Sequence, residues 1–160
     1  MTVIKQADLN LQKDADAIVT LLSEYAEHEM GGGEALSGFT MANLVSELRK
    51  RDHYVAFLAY VDDVPAGLVN CFEVFSTFQC RPVLNIHDVV VSANFRGQKL
   101  SKDLFAVVEK HASERGCSKV TLEVLEGNVI AKQAYESLGY AGYQLDPKMG
   151  KALFYEKTLS

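Results

Sequence analysis

The residues best suited to chemistry lie in one continuous stretch, residues 85–102, which reads NIHDVVVSANFRGQKLSK. An apolar run there leads into a polar turn containing Arg96 and Gly97, and a periodic apolar pattern begins directly after the turn. A strand that passes through such a turn into a helix exposes unpaired backbone N–H groups at the positive end of the helix dipole. The stretch therefore predicts an anion site, and we interpret the anion as a pyrophosphate.

The composition narrows the class of protein that carries this site. A chain of 160 residues with 48% hydrophobic and 23% charged residues predicts a single globular domain over residues 1–160. The formal net charge of −5 argues against a nucleic-acid partner, since the phosphate backbone favours basic patches. A cationic substrate suits this surface better.

Targeting and metal-binding signals are missing from the sequence. The N-terminal residues become polar within a few positions, and no apolar run approaches the roughly 18 residues that span a bilayer. These features predict a cytoplasmic protein without a membrane partner. The three cysteines show neither CxxC nor CxxH spacing, so we expect no disulfide and no metal site.

Hydrophobic periodicity predicts the elements that position the anion site. Apolar residues at helical spacing predict four helices, at residues 14–30, 41–50, 100–116 and 129–138. Alternating or continuous apolar runs predict seven strands, near residues 3–4, 54–61, 65–75, 83–91, 120–124, 140–145 and 153–158. Thr40 is the expected N-cap of the second helix. The predicted fold is mixed α/β (α+β), with one βαβ crossover near the middle of the chain.

Two segments in this order resemble the GNAT family of N-acetyltransferases. VVVSANFRGQKLSKDLF, at 89–105, is similar to the family's acetyl-CoA signature, and LEVLEGNVIAKQAYESLGY, at 122–140, is similar to its next motif. The resemblance implies a mostly antiparallel sheet of about seven strands flanked by about four helices, with acetyl-CoA in a splayed slot between the fourth and fifth strands. It also implies direct acetyl transfer, in a ternary complex, to a primary amine of a small polyamine-like or basic acceptor. Homodimers are common in the family.

The resemblance assigns the cofactor-binding residues by position. They are Val89, Val90, Val91, Arg96, Gly97, Gln98, Lys99, Leu100, Ser101, Asn128, Ala131 and Tyr135. Lys99 and Ser101 stand where the family has glycine and Gly/Ala. A lysine in the first turn of a helix opposes the dipole by roughly 0.3–1 kcal/mol, which an adjacent diphosphate would offset. The alternative for Lys99 is a solvated side chain.

Catalysis of amine acetylation requires a base and an acid. The resemblance implies that Tyr135 protonates the departing thiolate. The candidate bases are His87, Asp88 and Glu73, and we favour His87, since imidazole titrates nearest to neutral pH. On a regular strand His87 and Asp88 face opposite sides of the sheet. A bulge, which the family typically carries on this strand, would change that parity.

The acceptor site is predicted from residues outside the two motifs. Glu24, Glu27 and His28 gather near the end of the first helix, and Glu73 and Phe75 precede the central strand. A carboxylate cluster suits a primary ammonium, although such a cluster is also typical of a solvated helix face. The aromatic residue alternatively packs a hairpin tip or a dimer contact. Two other functions remain open: a non-catalytic acyl-CoA-binding regulatory module, and a protein-lysine or N-terminal acetyltransferase.

Overall fold

The structure is a computed structural model that describes residues 1–159. The chain divides into two compact units, Met1–Glu123 and a second that begins at Val124. The first unit contains the helices α1 (Gln12–Glu27), α2 (Gly38–Arg49) and α3 (Leu100–Glu114). Its strands are β1 (Thr2–Gln6), β2 (Tyr54–Val61), β3 (Val64–Ser76), β4 (Arg81–Val91) and β5 (Val120–Leu122). The second unit contains α4 (Val129–Ser137).

The strands form one mixed sheet in the order β1-β2-β3-β4-β5. Each of the first three neighbouring pairs is antiparallel, and β4 and β5 are parallel because α3 crosses over between them. This architecture confirms the predicted mixed α/β class, the mostly antiparallel sheet and the four helices. Among the described residues, no helix combines the length and apolar character needed to cross a bilayer.

The prediction of about seven strands is wrong. Within residues 1–159 the sheet has five strands, and the expected strands at 140–145 and 153–158 are replaced by an isolated bridge between Gln144 and Lys151. The apolar residues of these two segments alternate as they do in a strand. However, Gly142, Pro147 and Gly150 interrupt this part of the chain and weaken strand pairing.

The N-cap predicted for the second helix is also wrong. That helix begins at Gly38, and its N-cap is Ser37, whose hydroxyl accepts a hydrogen bond from the backbone N–H of Thr40 at 3.1 Å. Both residues are good caps, and the helix starts one turn earlier than its apolar pattern indicates.

Alternation along β2 divides the core between the two faces of the sheet. Ala56, Leu58 and Tyr60 pack with the buried face of α1, which carries Ile18 and Leu21. On the other face the ring of Phe57 contacts His111 of α3, with centroids 5.4 Å apart. A Cβ at Gly67 would lie 2.9 Å from Leu104, so glycine allows α3 to approach β3 closely. This close packing fixes the position of α3 on the sheet. The N-terminus of α3 follows β4 in the chain, so its position is fixed as well.

A bulge interrupts the pairing of β4 with β3. Cys71 lies opposite Ile86 and Asn70 lies opposite Asp88, so that His87 is the extra residue between them. On the other side of β4, β5 pairs only with Leu84–Ile86. After Ile86, no strand of the described residues pairs with β4 on its β5 side. This gap between the fourth and fifth strands is the splayed geometry that the family resemblance implies.

Candidate active site

A cavity of about 330 Å³ lies between α1, α2 and the strands β2, β3 and β4. Its polar wall contains Tyr25, Tyr54, Asn70, His87 and Asp88. Its apolar wall contains Leu22, Ala26, Leu36, Leu44, Leu48 and Phe72. The bulge explains how His87 and Asp88, which are adjacent in sequence, both reach the cavity. Of the described residues, none that lines it is a lysine or an arginine, so its only formal charge with neutral histidine is that of Asp88.

Asp88 belongs to a hydrogen-bonded chain across three strands. The side-chain amide of Asn70 donates from Nδ2 to Oδ2 of Asp88 at 3.0 Å. The hydroxyl of Tyr54 donates to Oδ1 of Asn70 at 2.7 Å. Asn70 is only 4% exposed, so this chain lies in the wall of the cavity and the amide is satisfied at both ends.

The charge of Asp88 acts on the groups around it. Burial, and then the charge of Asp88, raise the pKa of Tyr54 and of Tyr25, so both phenols stay protonated. The same two causes raise the pKa of the Cys71 thiol to about 12, so this buried cysteine is not a nucleophile. The cavity is therefore an environment that favours a cation.

The side chain of His87 packs against an aromatic ring. Its ring meets that of Phe72 edge to face, with centroids 5.3 Å apart and an interplanar angle of 83°. His87 is exposed, and it stands at the bulge where β4 leaves its regular register. An imidazole in this position can exchange a proton with both the cavity and solvent.

The backbone of β4 presents donors on its open side. The N–H of Ser92 donates to the carbonyl of Ala66 at 2.9 Å, next to the Gly67–Val91 pair at which the β3–β4 register begins. By alternation along the strand, the N–H groups of Val89 and Val91 point away from β3, toward the side that β5 has left. Val90 points its amide toward β3 and is 3% exposed. An extended ligand can therefore add to this edge as a further strand does.

Two residues in the turn between β4 and α3 have left-handed backbone conformations. Gly97 has φ +80°, and Lys99, which precedes the first residue of α3, has φ +61° and ψ +14°. Glycine adopts this left-handed conformation freely, whereas another residue pays about 1 kcal/mol. Lys99 thus has a conformation that glycine adopts more easily than lysine.

The first turn of α3 is open to a ligand. No side chain of the described residues caps α3 at Lys99. Arg96, Gly97, Gln98 and Lys99 are exposed, whereas Leu100 is buried and Ser101 is partly buried. The N–H groups at the start of the helix, with two cationic side chains beside them, match the chemistry of a diphosphate.

The structure separates Glu73 and Phe75 from the cavity. Both oxygens of Glu73 accept hydrogen bonds from Arg115 at 3.0 Å, and this pairing lowers the pKa of the carboxyl. Phe75 is 60% exposed near the end of β3. Neither residue lines the cavity that holds His87 and Asp88.

The cluster at the end of α1 has local partners. Glu24 accepts a hydrogen bond from the backbone N–H of Ala93 at 2.7 Å, directly after β4. His28 accepts from the backbone N–H of Met30 through Nδ1, at 3.2 Å, and Glu27 is exposed. None of the three lines the cavity, which receives Tyr25 and Ala26 from the same helix.

In the second unit, α4 places the residues of the second motif. Asn128 is its N-cap, and its Oδ1 accepts a hydrogen bond from the backbone N–H of Ala131 at 3.3 Å. Tyr135 lies seven residues later on the same helix, about two turns along its axis. Asn128 and Tyr135 are both partly buried.

Three polar residues of the cavity were not predicted from the sequence: Tyr25, Tyr54 and Asn70. For Asn70 a signal was present, because an asparagine inside the apolar run AGLVNCF needs a buried partner. The two tyrosines follow apolar patterns that are typical of an ordinary core.

The chain is similar to known acetyltransferases. Residues 17–140 match the acetyltransferase (GNAT) family. An aminoglycoside N(6′)-acetyltransferase of Salmonella typhimurium is 23% identical over 114 residues, which cover 69% of this chain and 74% of that protein. A thialysine N-ε-acetyltransferase of Caenorhabditis elegans is 26% identical over 132 residues, covering 77% and 81%.

Solved structures share the fold. A probable acetyltransferase superposes with a TM-score of 0.81 at 22% identity, covering 99% of each chain. An aminoglycoside acetyltransferase from an uncultured soil metagenomic sample, solved with sisomicin, gives a TM-score of 0.79 at 16% identity, covering 99% of this chain and 97% of that one.

With residues 17–140 matched, the chain belongs to the GNAT acetyltransferase family. Proteins of this family use acetyl-CoA as co-substrate. The protein is accordingly an acetyl-CoA-dependent N-acetyltransferase.

Proposed function

We propose that this protein transfers the acetyl group of acetyl-CoA directly to a primary amine of a small, basic acceptor that binds in the cavity between α1 and α2. The observation that carries the proposal is the bulge at His87, through which an imidazole and a carboxylate both line one largely apolar cavity. A cavity with one carboxylate and no lysine or arginine among its described lining residues suits an ammonium group on an apolar body.

The roles follow from the surroundings of each group. Asp88 attracts the ammonium form of the acceptor and orients it in the cavity. His87, beside it at the bulge, accepts the proton that the nitrogen must lose before it becomes a nucleophile. Since His87 is exposed, it releases that proton to solvent.

The cofactor half of the proposal uses β4 and the start of α3. Acetyl-CoA, when bound, supplies the acetyl group as a thioester whose C–S bond breaks while the nitrogen–acetyl bond forms. The N–H groups of Val89 and Val91 hold the extended arm and polarise the thioester carbonyl. The turn from Arg96 to Ser101 holds the diphosphate. From the family motif, Asn128 and Ala131 contact the arm, and Tyr135 donates a proton to the leaving sulfur.

The relatives support an acceptor of modest size. The curated proteins named above act on an aminoglycoside and on thialysine, both small molecules that carry several polar groups besides the reacting amine. A cavity of about 330 Å³ is at the small end of the range typical for ligand sites, so it holds one end of such an acceptor.

The test is release of free coenzyme A thiol from acetyl-CoA over a panel of amino sugars, diamines and lysine analogues, with a peptide that has a free N-terminus and lysines. We expect turnover with small amines, and a Tyr135→Phe variant that loses kcat while it retains its affinity for coenzyme A. Turnover with the peptide alone would instead identify a protein acetyltransferase. A protein that binds coenzyme A but acetylates no amine would overturn the proposal.

The phosphate turn has a separate test by calorimetry with coenzyme A. We expect Lys99→Met to weaken binding by about 3- to 10-fold, since one charge-assisted contact to phosphate is lost. The loss should shrink at high salt. Lys102→Met, one turn into the same helix, is the matched control. Equal affinities in all three proteins would remove Lys99 from the diphosphate site.

A further inference from the structure

Asn70 and Tyr54 line the cavity beside Asp88, on neighbouring strands of the sheet. Asn70 is directly opposite Asp88 in the β3–β4 register, and Tyr54 is displaced by two positions along β2. Such opposite and diagonal positions bring side chains on one face within reach of each other. The hydrogen bonds of 2.7 Å and 3.0 Å join the three groups in a line along the cavity wall.

We propose that Asn70 and Tyr54 are positioning residues that hold the Asp88 carboxylate ionised and oriented toward the acceptor amine. The inference rests on the proposed function, in which Asp88 binds that amine. Neither residue touches the acceptor nitrogen in this scheme, and both act through Asp88.

The direction of the hydrogen bonds explains how they act. A side-chain amide has one end that only accepts and one end that only donates. While the Tyr54 hydroxyl donates to Oδ1, the Nδ2 group of Asn70 is turned toward Asp88. An ionised carboxylate accepts this hydrogen bond from Nδ2 more strongly than a protonated carboxyl does, because the acceptor is then charged. The phenol of Tyr54 thus fixes the orientation of Asn70 that favours ionised Asp88.

The other groups that face Asp88 do not supply this function. They are Tyr25 from α1, Cys71 from β3 and His87 from β4. The described lining residues from α2 and the segment before it are apolar or glycine. Tyr25 directs its hydroxyl to the carbonyl of Met30, at 3.4 Å, rather than to Asp88. The donated hydrogen bond from Asn70 is therefore the stabilising contact that Asp88 receives within the described chain.

The experiment compares Asn70→Leu and Tyr54→Phe with the wild type in two measurements. The first is the midpoint of the acidic limb of amine affinity against pH, measured by calorimetry in a His87→Gln background so that the imidazole does not contribute to the limb. The second is the midpoint of the carboxyl 13C titration of Asp88 in protein without substrate, assigned by its loss in Asp88→Asn. We expect both midpoints to rise, by about one pH unit in Asn70→Leu and by about half a unit in Tyr54→Phe, since a hydrogen bond to a charged group is removed or weakened.

Tyr60→Phe is the matched control. It removes a phenol hydroxyl from the same strand, where Tyr60 donates to the buried carboxylate of Asp14 at 2.8 Å, far from the cavity wall. We expect it to lower stability and to leave both midpoints unchanged. Midpoints that stay at the wild-type value in Tyr54→Phe and Asn70→Leu would overturn the inference.

The two proposals fail in distinguishable ways. If no small amine is acetylated, or if Asp88→Asn keeps full activity, the proposed function fails and the role of Asn70 and Tyr54 in acceptor binding fails with it. The 13C titration still decides whether the two residues hold Asp88 ionised, because it uses no substrate. If Asp88→Asn is inactive but the midpoints do not move, only the inference about Asn70 and Tyr54 is overturned.

Discussion

Two carboxylates of this protein, Asp14 and Asp88, are each linked to a tyrosine of β2, yet their surroundings differ. Asp14 is fully buried and accepts hydrogen bonds from Lys5, from the backbone N–H of Asp8 and from Tyr60, at 2.8 Å to 2.9 Å. Asp88 faces a cavity and, among the described residues, accepts one from Asn70. A carboxylate whose acceptor sites are occupied stabilises the fold, whereas one with open sites facing a cavity is available to a ligand.

The largest effect that this comparison predicts is on activity. Asp88→Asn should reduce kcat/KM for the best amine by about 100-fold, because the neutral amide does not attract an ammonium and hold it beside His87. The free energy of unfolding should change little, since the Asp88 site faces a cavity. Steady-state kinetics and urea denaturation on the same preparation measure both. A variant with wild-type kinetics would remove Asp88 from the mechanism.

The converse variant, Asp14→Asn, should act on stability. We expect the free energy of unfolding to fall by about 2–3 kcal/mol, because Lys5 loses its buried partner and two other donors lose a charged acceptor. Activity per folded molecule should be retained. Urea denaturation measures the first effect. An unchanged denaturation midpoint would mean that the Asp14 network contributes no net stability.

The same network predicts how stability depends on pH. Burial raises the pKa of Asp14, but the hydrogen bonds from Asp8, Lys5 and Tyr60 outweigh it and hold the pKa below the ordinary value. The unfolded chain therefore binds the proton more tightly than the folded protein. The stabilisation is complete above about pH 5 and is lost as the pH falls through about 4 and below.

Urea denaturation from about pH 7 down to about pH 3 tests this sign. In the wild type the free energy of unfolding should decrease over the acidic range, and in Asp14→Asn the decrease should be shallower. Parallel curves for the two proteins would assign the acid sensitivity to other groups.

The smallest expected effect comes from Glu73, a third carboxylate that is occupied by a protein partner. Glu73→Gln should change kcat/KM by less than about threefold, because its oxygens are bonded to Arg115 outside the cavity and an exposed pair contributes little. Arg115→Gln removes the other partner of the same ion pair and should change kcat/KM equally little. A large loss of kcat in Glu73→Gln alone would restore Glu73 as a candidate base.

Much of the fold follows from short-range patterns in the sequence. The helix at Leu100–Glu114 matches the apolar spacing of its sequence. The hairpin turn matches its turn residues, Asp62 and Asp63, which both have positive φ. The two C-terminal strands were mispredicted, because alternation describes one strand and says nothing about the neighbour that it needs. The turn from Arg96 to Lys99 and the helix start after it were recognisable because the glycine, the polar residues and the first apolar residues of the helix are all local.

The candidate acceptor site was less accessible to sequence reasoning. That Glu73 is bonded to Arg115, and Glu24 to the backbone of Ala93, depends on contacts between residues 42 and 69 positions apart. No local pattern distinguishes such carboxylates from Asp88. Asn70 gave the one usable signal, a polar residue in an apolar strand, but its partners could not be named from it.

The sequence by itself determined the class of fold, the helices and the turn at which a diphosphate is proposed to bind, because these depend on periodicity and on residues within one or two turns of each other. Only the tertiary structure decided that His87 and Asp88 line one cavity. A bulge is a property of the register between β3 and β4, and register is set by how two distant segments pack against the same core.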